Sequence, residues 1–269
     1  MNVSSTPDGP KVGSYSVAIP RWKRILDLVL ILLALPLVLP LAVFIAVLIR
    51  VVSPGPILFK QQRLGLKGRR FMCIKFRTMV VAADTSGHRS YLDDLMASNM
   101  PMVKLDLRGD SRIIPIGCWL RSMGMDELPQ LINVLAGEMS LVGPRPCLPY
   151  ECDKYLPWHW QRFDTLPGLT GLWQVSGKNK TTFPEMMRLD VDYAHRKTLW
   201  LDLLIIIKTP LVILSQSWEL LVRKLRAFRS RSGQAKLSCP VDPVISPPAN
   251  PSRVPGSPIF SNKPRKNYE

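Results

Sequence analysis

Histidine and cysteine are scarce in this chain, and the few present are poorly spaced for metal or redox chemistry. Cys73, Cys118, Cys147, Cys152 and Cys239 are odd in number and scattered. They form no Cys-x-x-Cys, which argues for reduced thiols rather than a zinc site or a disulfide frame. His88, His159 and His195 have no ligand spacing. Neither a histidine metal site nor a Ser-His-Asp arrangement is expected from them. Negative charge is also sparse, with 20 Asp and Glu against 36 Lys and Arg, a formal net charge of +16. Such an excess suits an anionic membrane or a nucleic acid. No zinc-finger spacing, RNA-binding aromatic motif or isolated recognition helix accompanies it, so no nucleic-acid partner is expected and anionic lipid is.

What the chain does have is one long apolar run. Over residues 25–49 only Asp27, Pro36 and Pro40 are not apolar. At ~1.5 Å per residue such a helix is long enough for a hydrocarbon core of ~30 Å. Each proline removes a backbone hydrogen bond and favours a kink near the middle. Arg21, Lys23 and Arg24 precede the run, and Arg50, Lys60, Arg63, Lys67, Arg69 and Arg70 follow it. The positive-inside rule places both flanks in the cytoplasm. A helix-break-helix hairpin satisfies both observations; a signal anchor with a tolerated kink is the alternative that the residues leave open. No small-residue cleavage motif follows, so a cleaved signal peptide is not expected.

The richest chemistry lies at Asp126-Glu127-Leu-Pro-Gln-Leu-Ile-Asn-Val-Leu. Two adjacent carboxylates open a short helix whose Leu128, Leu131, Ile132 and Leu135 recur at helical spacing and predict one buried face. Gly124 and the acidic pair mark its N-terminal end, where negative charge is favoured. A carboxylate held ionised there can bind a hard cation or attack phosphorus; equally, an acidic pair at a helix start is ordinary capping chemistry. A short β-like run, 139–142, leads into Gly143-Pro144-Arg145-Pro146. That rigid turn presents the planar donor fork of Arg145, which suits phosphate.

Elsewhere the chain divides into a loose leader (1–20), the membrane element (21–52), a body (53–218), and a basic then Pro-rich tail (219–269). Two short strands are expected around the Leu64-Gly65-Leu66-Lys67-Gly68 turn. Residues 80–106 read as an irregular, Met-rich loop. Thr182-x-x-Glu185 is a capping box for a helix through Tyr193, with Met186, Leu189 and Tyr193 on one face. Asp190 and Asp192 point away from that face, as solvated surface or as site residues. Residues 199–214 are apolar but interrupted by Asp202, Lys208 and Pro210, which suits a helix lying in a membrane interface. Eight prolines between 240 and 264 argue for a disordered tail.

These motifs together resemble the bacterial sugar transferases known as monotopic phosphoglycosyl transferases. The likeness covers residues 23–213. It rests on Lys23-Arg24-x-x-Asp27, Lys75-Phe-Arg77-Thr-Met, Asp126-Glu127-Leu-Pro-Gln-Leu-x-Asn-Val-Leu and Ser140-Leu-Val-Gly-Pro-Arg145-Pro. Pro167-Gly-Leu-Thr-Gly-Leu-Trp173-Gln-Val-Ser-Gly, Leu189-Asp190-Val-Asp192-Tyr193 and Trp200-Leu-Asp202 complete it. Gly124 departs from the Ser or Thr that relatives often carry there.

The resemblance implies an α+β monotopic membrane protein on the cytoplasmic face of the bacterial inner membrane. Its parts are a Pro-broken re-entrant helix (Pro36, Pro40), interfacial amphipathic helices, and a cytoplasmic catalytic domain with a small β-element. It further implies that a sugar 1-phosphate passes from a UDP-sugar to polyprenyl (undecaprenyl) phosphate with release of UMP. That step begins an exopolysaccharide, O-antigen or related lipopolysaccharide glycan, which downstream glycosyltransferases extend. Asp126 is implied as nucleophile, with Glu127 beside it and magnesium on the pair. Arg145, Arg121, Lys75 and Arg77 are implied to neutralise the diphosphate, with Asp190 a further candidate for the substrate site. A non-catalytic membrane adaptor is the alternative from another class.

Overall fold

Strand-forming residues flank the Leu64–Gly68 turn, and in the computed structural model they pair as that pattern predicts. Strand β1 (Leu58–Leu64) and strand β2 (Arg70–Phe76) form an antiparallel hairpin, Leu58 opposite Phe76 and Leu64 opposite Arg70. The structure describes residues 19–81, 112–177 and 181–230, with 91, 93, 95, 96, 98, 100 and 101 between them. The expected leader, most of the Met-rich loop and the Pro-rich tail lie outside the described residues.

Helix α1 (Arg21–Val52) carries the apolar run. Pro36 and Pro40 both lie inside this one helical element. Each lacks the N–H that would tie it to the preceding turn, which lets a helix bend there without a gap between two helices. Its ends and its middle differ sharply. Lys23, Asp27 and Ile31 are buried near the start, and Ile45 and Ile49 near the end. Between them, Leu32, Leu33, Leu35, Leu37 and Leu39 are exposed.

The body packs on this helix in two places. Ile31 joins Phe71 and Cys73 of β2, with Val134 and Met139. Ile45 and Ile49 join Phe76, Ile114 and Leu120. Helices α2 (Gly117–Ser122) and α3 (Gln130–Ala136) frame a 3₁₀ turn, Met125–Glu127. The carboxylate pair therefore sits in that turn, one step before the α-helix expected to carry it. The predicted buried face is also corrected: Gln130, Asn133 and Val134 are buried, whereas Ile132 and Leu135 are exposed. Asn133 goes inside because it completes an edge of β2. Its Oδ1 accepts from Ile74 N–H (3.1 Å) and its Nδ2 donates to Met72 O (2.8 Å). A hydrogen-bonding edge outweighs the apolar periodicity of a two-turn helix.

Strand β3 (Ser140–Val142) runs parallel to strand β4 (Gly168–Thr170). The two backbones cross so closely at Gly143 and Gly168 that a Cβ on Gly168 would lie 2.0 Å from Gly143 N. A short helix α4 (Leu172–Val175) follows, then helix α5 (Phe183–Arg196). The capping box opens α5 as expected: Thr182 Oγ1 accepts from Glu185 N–H (3.4 Å), and Glu185 Oε2 accepts from Thr182 N–H (2.8 Å). Helix α6 (Leu199–Ser230) is longer than expected and continues through Pro210. The basic stretch from Arg223 to Arg229, expected in a loose tail, is therefore helical. Trp200, Leu204, Ile207, Leu211, Leu214 and Trp218 form an exposed apolar stripe along it, spaced alternately four and three residues apart.

Cys73, Cys147 and Cys152 are free and buried, as expected of thiols. Cys118 is disulfide-bonded, which corrects that expectation at one position. Spacing alone does not reveal which sulfurs a fold brings together.

Candidate active site

The carboxylate pair is positioned by the elements around it. Gly124 adopts the left-handed region (φ 67°) and turns the chain from α2 into the 3₁₀ turn. The departure from Ser or Thr at this position thus coincides with a conformation that favours glycine. Asp126 is buried at 9% exposure, while the Glu127 side chain keeps 34% of its surface. Lys75, on β2, donates to Glu127 Oε1 at 3.3 Å. Because Asn133 locks α3 to β2, the register between Lys75 and Glu127 follows from the same contact that buries Asn133.

Arg121, in the last turn of α2, donates to Thr78 Oγ1 at 3.3 Å, so the Lys75–Met79 segment touches this site twice. Arg77 of the same segment does not join it. Its two terminal nitrogens donate to Ser53 O (2.7 Å) and Pro54 O (2.8 Å), where they close the C-terminal end of α1. The charges of Lys75, Glu127, Arg63 and Arg145 all act on the buried Cys73 thiol. Burial is the main force pushing that thiol up; the three cations pull it back.

Arg145 stands on a segment whose backbone carbonyls are all hydrogen-bonded from 144 to 147. Gly143 N–H donates to Thr170 O (2.9 Å), and Pro144 O accepts from Gly168 N–H (2.8 Å). Arg145 O accepts from Arg162 Nη2 (2.7 Å), Pro146 O from Arg63 Nη1 (3.0 Å), and Cys147 O from Leu64 N–H (3.0 Å). The Arg145 side chain is half-buried and holds no hydrogen bond or ion pair among the described residues.

Asp190 is 1% exposed and pairs with Arg162 at 2.6 Å, so it is not the solvated surface acid that its helical position allowed. Burial pushes its carboxyl up to about 6, against the pull of Arg162. Burial also opposes the charge on Arg162, but Tyr155 and Asp190 outweigh it and hold the guanidinium above its ordinary value. Asp192 is at the surface, 3.3 Å from Arg196.

The basic entry to α1 does structural work. Lys23 is fully buried, 2.6 Å from Asp202 Oδ2 and 2.7 Å from Tyr193 Oη. Tyr193 donates to Asp202 Oδ1 (2.7 Å), and burial beside that carboxylate raises its phenol. Asp27 accepts from Ser140 Oγ (3.1 Å) and Leu141 N–H (3.0 Å). Arg24 donates to the carbonyls of Val134 and Leu135 in the last turn of α3, where a cation is favoured. Lys23, Tyr193 and Asp202, from three separate motifs, thus meet at one point.

Sequence reading missed Arg63, Arg162 and Asn133. Only Arg162 carried a signal: it lies in Trp158-His159-Trp160-Gln161-Arg162-Phe163, and an arginine between aromatics suits burial with ring contacts. Its guanidinium lies 5.8 Å from the Tyr155 ring centroid and 6.0 Å from that of Phe163.

No cluster of three or more potential metal ligands occurs among the described residues. Two adjacent carboxylates fit a magnesium ion, which takes one or two carboxylates and completes its shell with water and substrate phosphate.

Comparison with known proteins gives this geometry a family. The family model described as "Bacterial sugar transferase" matches residues 19–216. The chain is 39% identical over 215 residues to the galactosyl transferase CpsE of Streptococcus agalactiae serotype III, covering 78% of this chain and 47% of that protein. It is 36% identical over 195 residues to the exopolysaccharide production protein ExoY of Sinorhizobium fredii, covering 72% and 86%. It is 41% identical over 201 residues to the UDP-glucose:undecaprenyl-phosphate glucose-1-phosphate transferase of Caulobacter vibrioides, covering 72% and 70%. The chain thus spans about half the length of the first of these relatives and most of the other two. A family match from α1 to the middle of α6, over the carboxylate turn and Arg145, leaves one assignment: the chain belongs to the bacterial sugar transferase family and is a transferase by that membership.

Proposed function

We propose that this protein transfers a sugar 1-phosphate from a UDP-sugar to polyprenyl (undecaprenyl) phosphate, with release of UMP. The observation that carries the reading is a buried Asp126 beside a Lys75-held Glu127, in a chain that also holds Arg145 on a backbone-tethered turn. Carboxylates alone repel a diphosphate; carboxylates faced by cations can bind it and attack it.

In this mechanism a carboxylate oxygen of Asp126 attacks the β-phosphorus of the donor. The new O–P bond forms as the bond to the bridging oxygen breaks, and the electron pair leaves with UMP. An oxygen of polyprenyl phosphate then attacks the same phosphorus and returns the Asp126 carboxylate. Arg145, Lys75 and Arg121 neutralise charge that develops on the departing phosphate. Magnesium, held by Asp126 and Glu127 with the diphosphate, would supply further charge neutralisation there. The covalent route lets nucleotide and lipid use the site in turn.

The membrane reading rests on α1. Both of its ends pack on the same fold, and only its proline-containing middle is bare on all sides. A helix that crossed the bilayer would leave its ends in different compartments, so this contact pattern supports re-entry from one face. The basic flanks favour the cytoplasmic face of the inner membrane and anionic lipid. The Trp200–Trp218 stripe on α6 suits an interfacial helix beside it.

The product is a lipid-linked sugar diphosphate of the kind that opens exopolysaccharide or O-antigen assembly and is consumed by later glycosyltransferases. Relatives named for galactose and glucose put UDP-galactose and UDP-glucose first in a donor panel. The test is UMP release by the detergent-solubilised protein with undecaprenyl phosphate and magnesium, with Asp126→Asn in parallel. Lipid-dependent UMP release that the variant loses is expected. Equal release by Asp126→Asn removes the nucleophile, and no release across a full donor panel favours a membrane adaptor.

A further inference from the structure

The turn that bears Arg145 is held in an unusual way. Pro144 and Pro146 have no N–H, so on both sides of Arg145 the backbone can be tethered only through carbonyls. All four carbonyls from 144 to 147 are taken, those of Arg145 and Pro146 by buried guanidinium groups. Arg63 is 6% exposed and Arg162 2%. Burying two full charges to hold two carbonyls is costly when neutral donors would suffice. The charges are compensated from behind: Arg162 pairs with Asp190 at 2.6 Å and donates to Tyr155 Oη at 2.7 Å, and Glu151 lies 4.0 Å from Arg63.

We propose that Arg162 and Arg63 are positioning residues: a clamp on consecutive carbonyls that aims the Arg145 side chain at the donor's diphosphate. The inference rests on the transfer reaction proposed above. With the backbone tethered at each step, the mobile part of the turn is the Arg145 side chain, which pays less ordering entropy on binding. The clamp also gathers positive charge at one place. Burial lowers the Arg63 pKa and the neighbouring Arg145 lowers it further, a crowding that a phosphate anion relieves.

A double-mutant cycle on UDP binding tests this, with the full chain in detergent and magnesium present, read by calorimetry. Arg145→Ala and Arg162→Gln are each expected to weaken UDP binding about tenfold. The double variant is expected to bind no worse than Arg145→Ala alone, because Arg162 acts only through Arg145. Arg63→Gln should behave in the same way. In turnover, Arg162→Gln should raise the donor KM more than it lowers kcat, which a general loss of folded protein does not do. If Arg162→Gln fails to fold, Tyr155→Phe removes only the hydroxyl that holds Arg162 and runs the same cycle. Additive losses, or a folded Arg162→Gln that binds UDP as the wild type does, overturn the clamp alone. A wild-type protein that binds no UDP overturns the functional reading, and the clamp with it.

Discussion

The two ends of α1 are fastened to the same fold by opposite means. The first turns use buried charge: Lys23 on Asp202 and Tyr193, Asp27 on Ser140 and Leu141, Arg24 on the end of α3. The last turns use apolar packing, with Ile45 and Ile49 against Phe76, Ile114 and Leu120. Apolar contact is forgiving of register, because a leucine-rich surface accepts a shifted partner. A lysine, a tyrosine and an aspartate within hydrogen-bond distance are satisfied in one register only. The polar end therefore decides how α1 meets β3, α5 and α6, and the apolar end adds adhesion once that register is set.

The comparison breaks first at Asp202. Asp202→Ala leaves Lys23 buried and unpaired, and is expected to destabilise the protein by roughly 3–5 kcal/mol in chemical unfolding. The double variant Lys23→Met/Asp202→Leu removes both charges and should recover most of that loss. No recovery would mean that the site depends on shape and not on charge.

At the other end Ile49→Ala is expected to cost about 2–4 kcal/mol, by lost burial and the cavity left behind. If it costs more than Asp202→Ala, the polar end is not the stronger fastening.

A third test sharpens the polar side away from α1. Asp190 titrates near 6 in the folded protein, above its ordinary value of 3.8. The folded state therefore holds more protons between those two values. The Asp190 contribution is fully present below about 4 and is lost as pH rises through about 6. The melting temperature of wild type relative to Asp190→Asn should fall over that window and level off above it. A difference that stays flat from pH 4 to 7 contradicts the buried, raised carboxyl.

The smallest effect belongs to the middle of α1. Leu33 and Leu37 are exposed at 73% and 76%, so Leu33→Ala/Leu37→Ala should change unfolding stability in detergent by under ~0.5 kcal/mol. The same variant should sediment less with anionic vesicles, since its lost apolar surface faces lipid and not protein. A large stability loss would show that this stretch packs on the fold after all.

Short-range patterns were readable where local chemistry decides the outcome. The β1–β2 hairpin and the Thr182 cap each rest on residues close together in the chain, and each formed as expected. The α3 face did not, because Asn133 answers to β2, some sixty residues earlier, and not to the period of its own helix. Arg77 and Arg121 look alike in the sequence, as basic residues in or beside the family motifs. One closes the end of α1 and the other lies by Thr78, and only the path of the chain separates them.

By itself the sequence determined the chemical parts: an apolar run with basic flanks, an adjacent carboxylate pair, an arginine between two prolines, and a family that joins them. These follow from residue type and spacing, which carry hydrophobicity, charge and backbone restriction directly. Only the tertiary structure decided which charges serve the site and which serve the fold. Burial and a partner's distance fix that division, and Lys23 with Asp202, or Arg162 with Asp190, acquires its partner only when segments far apart in the chain are brought together.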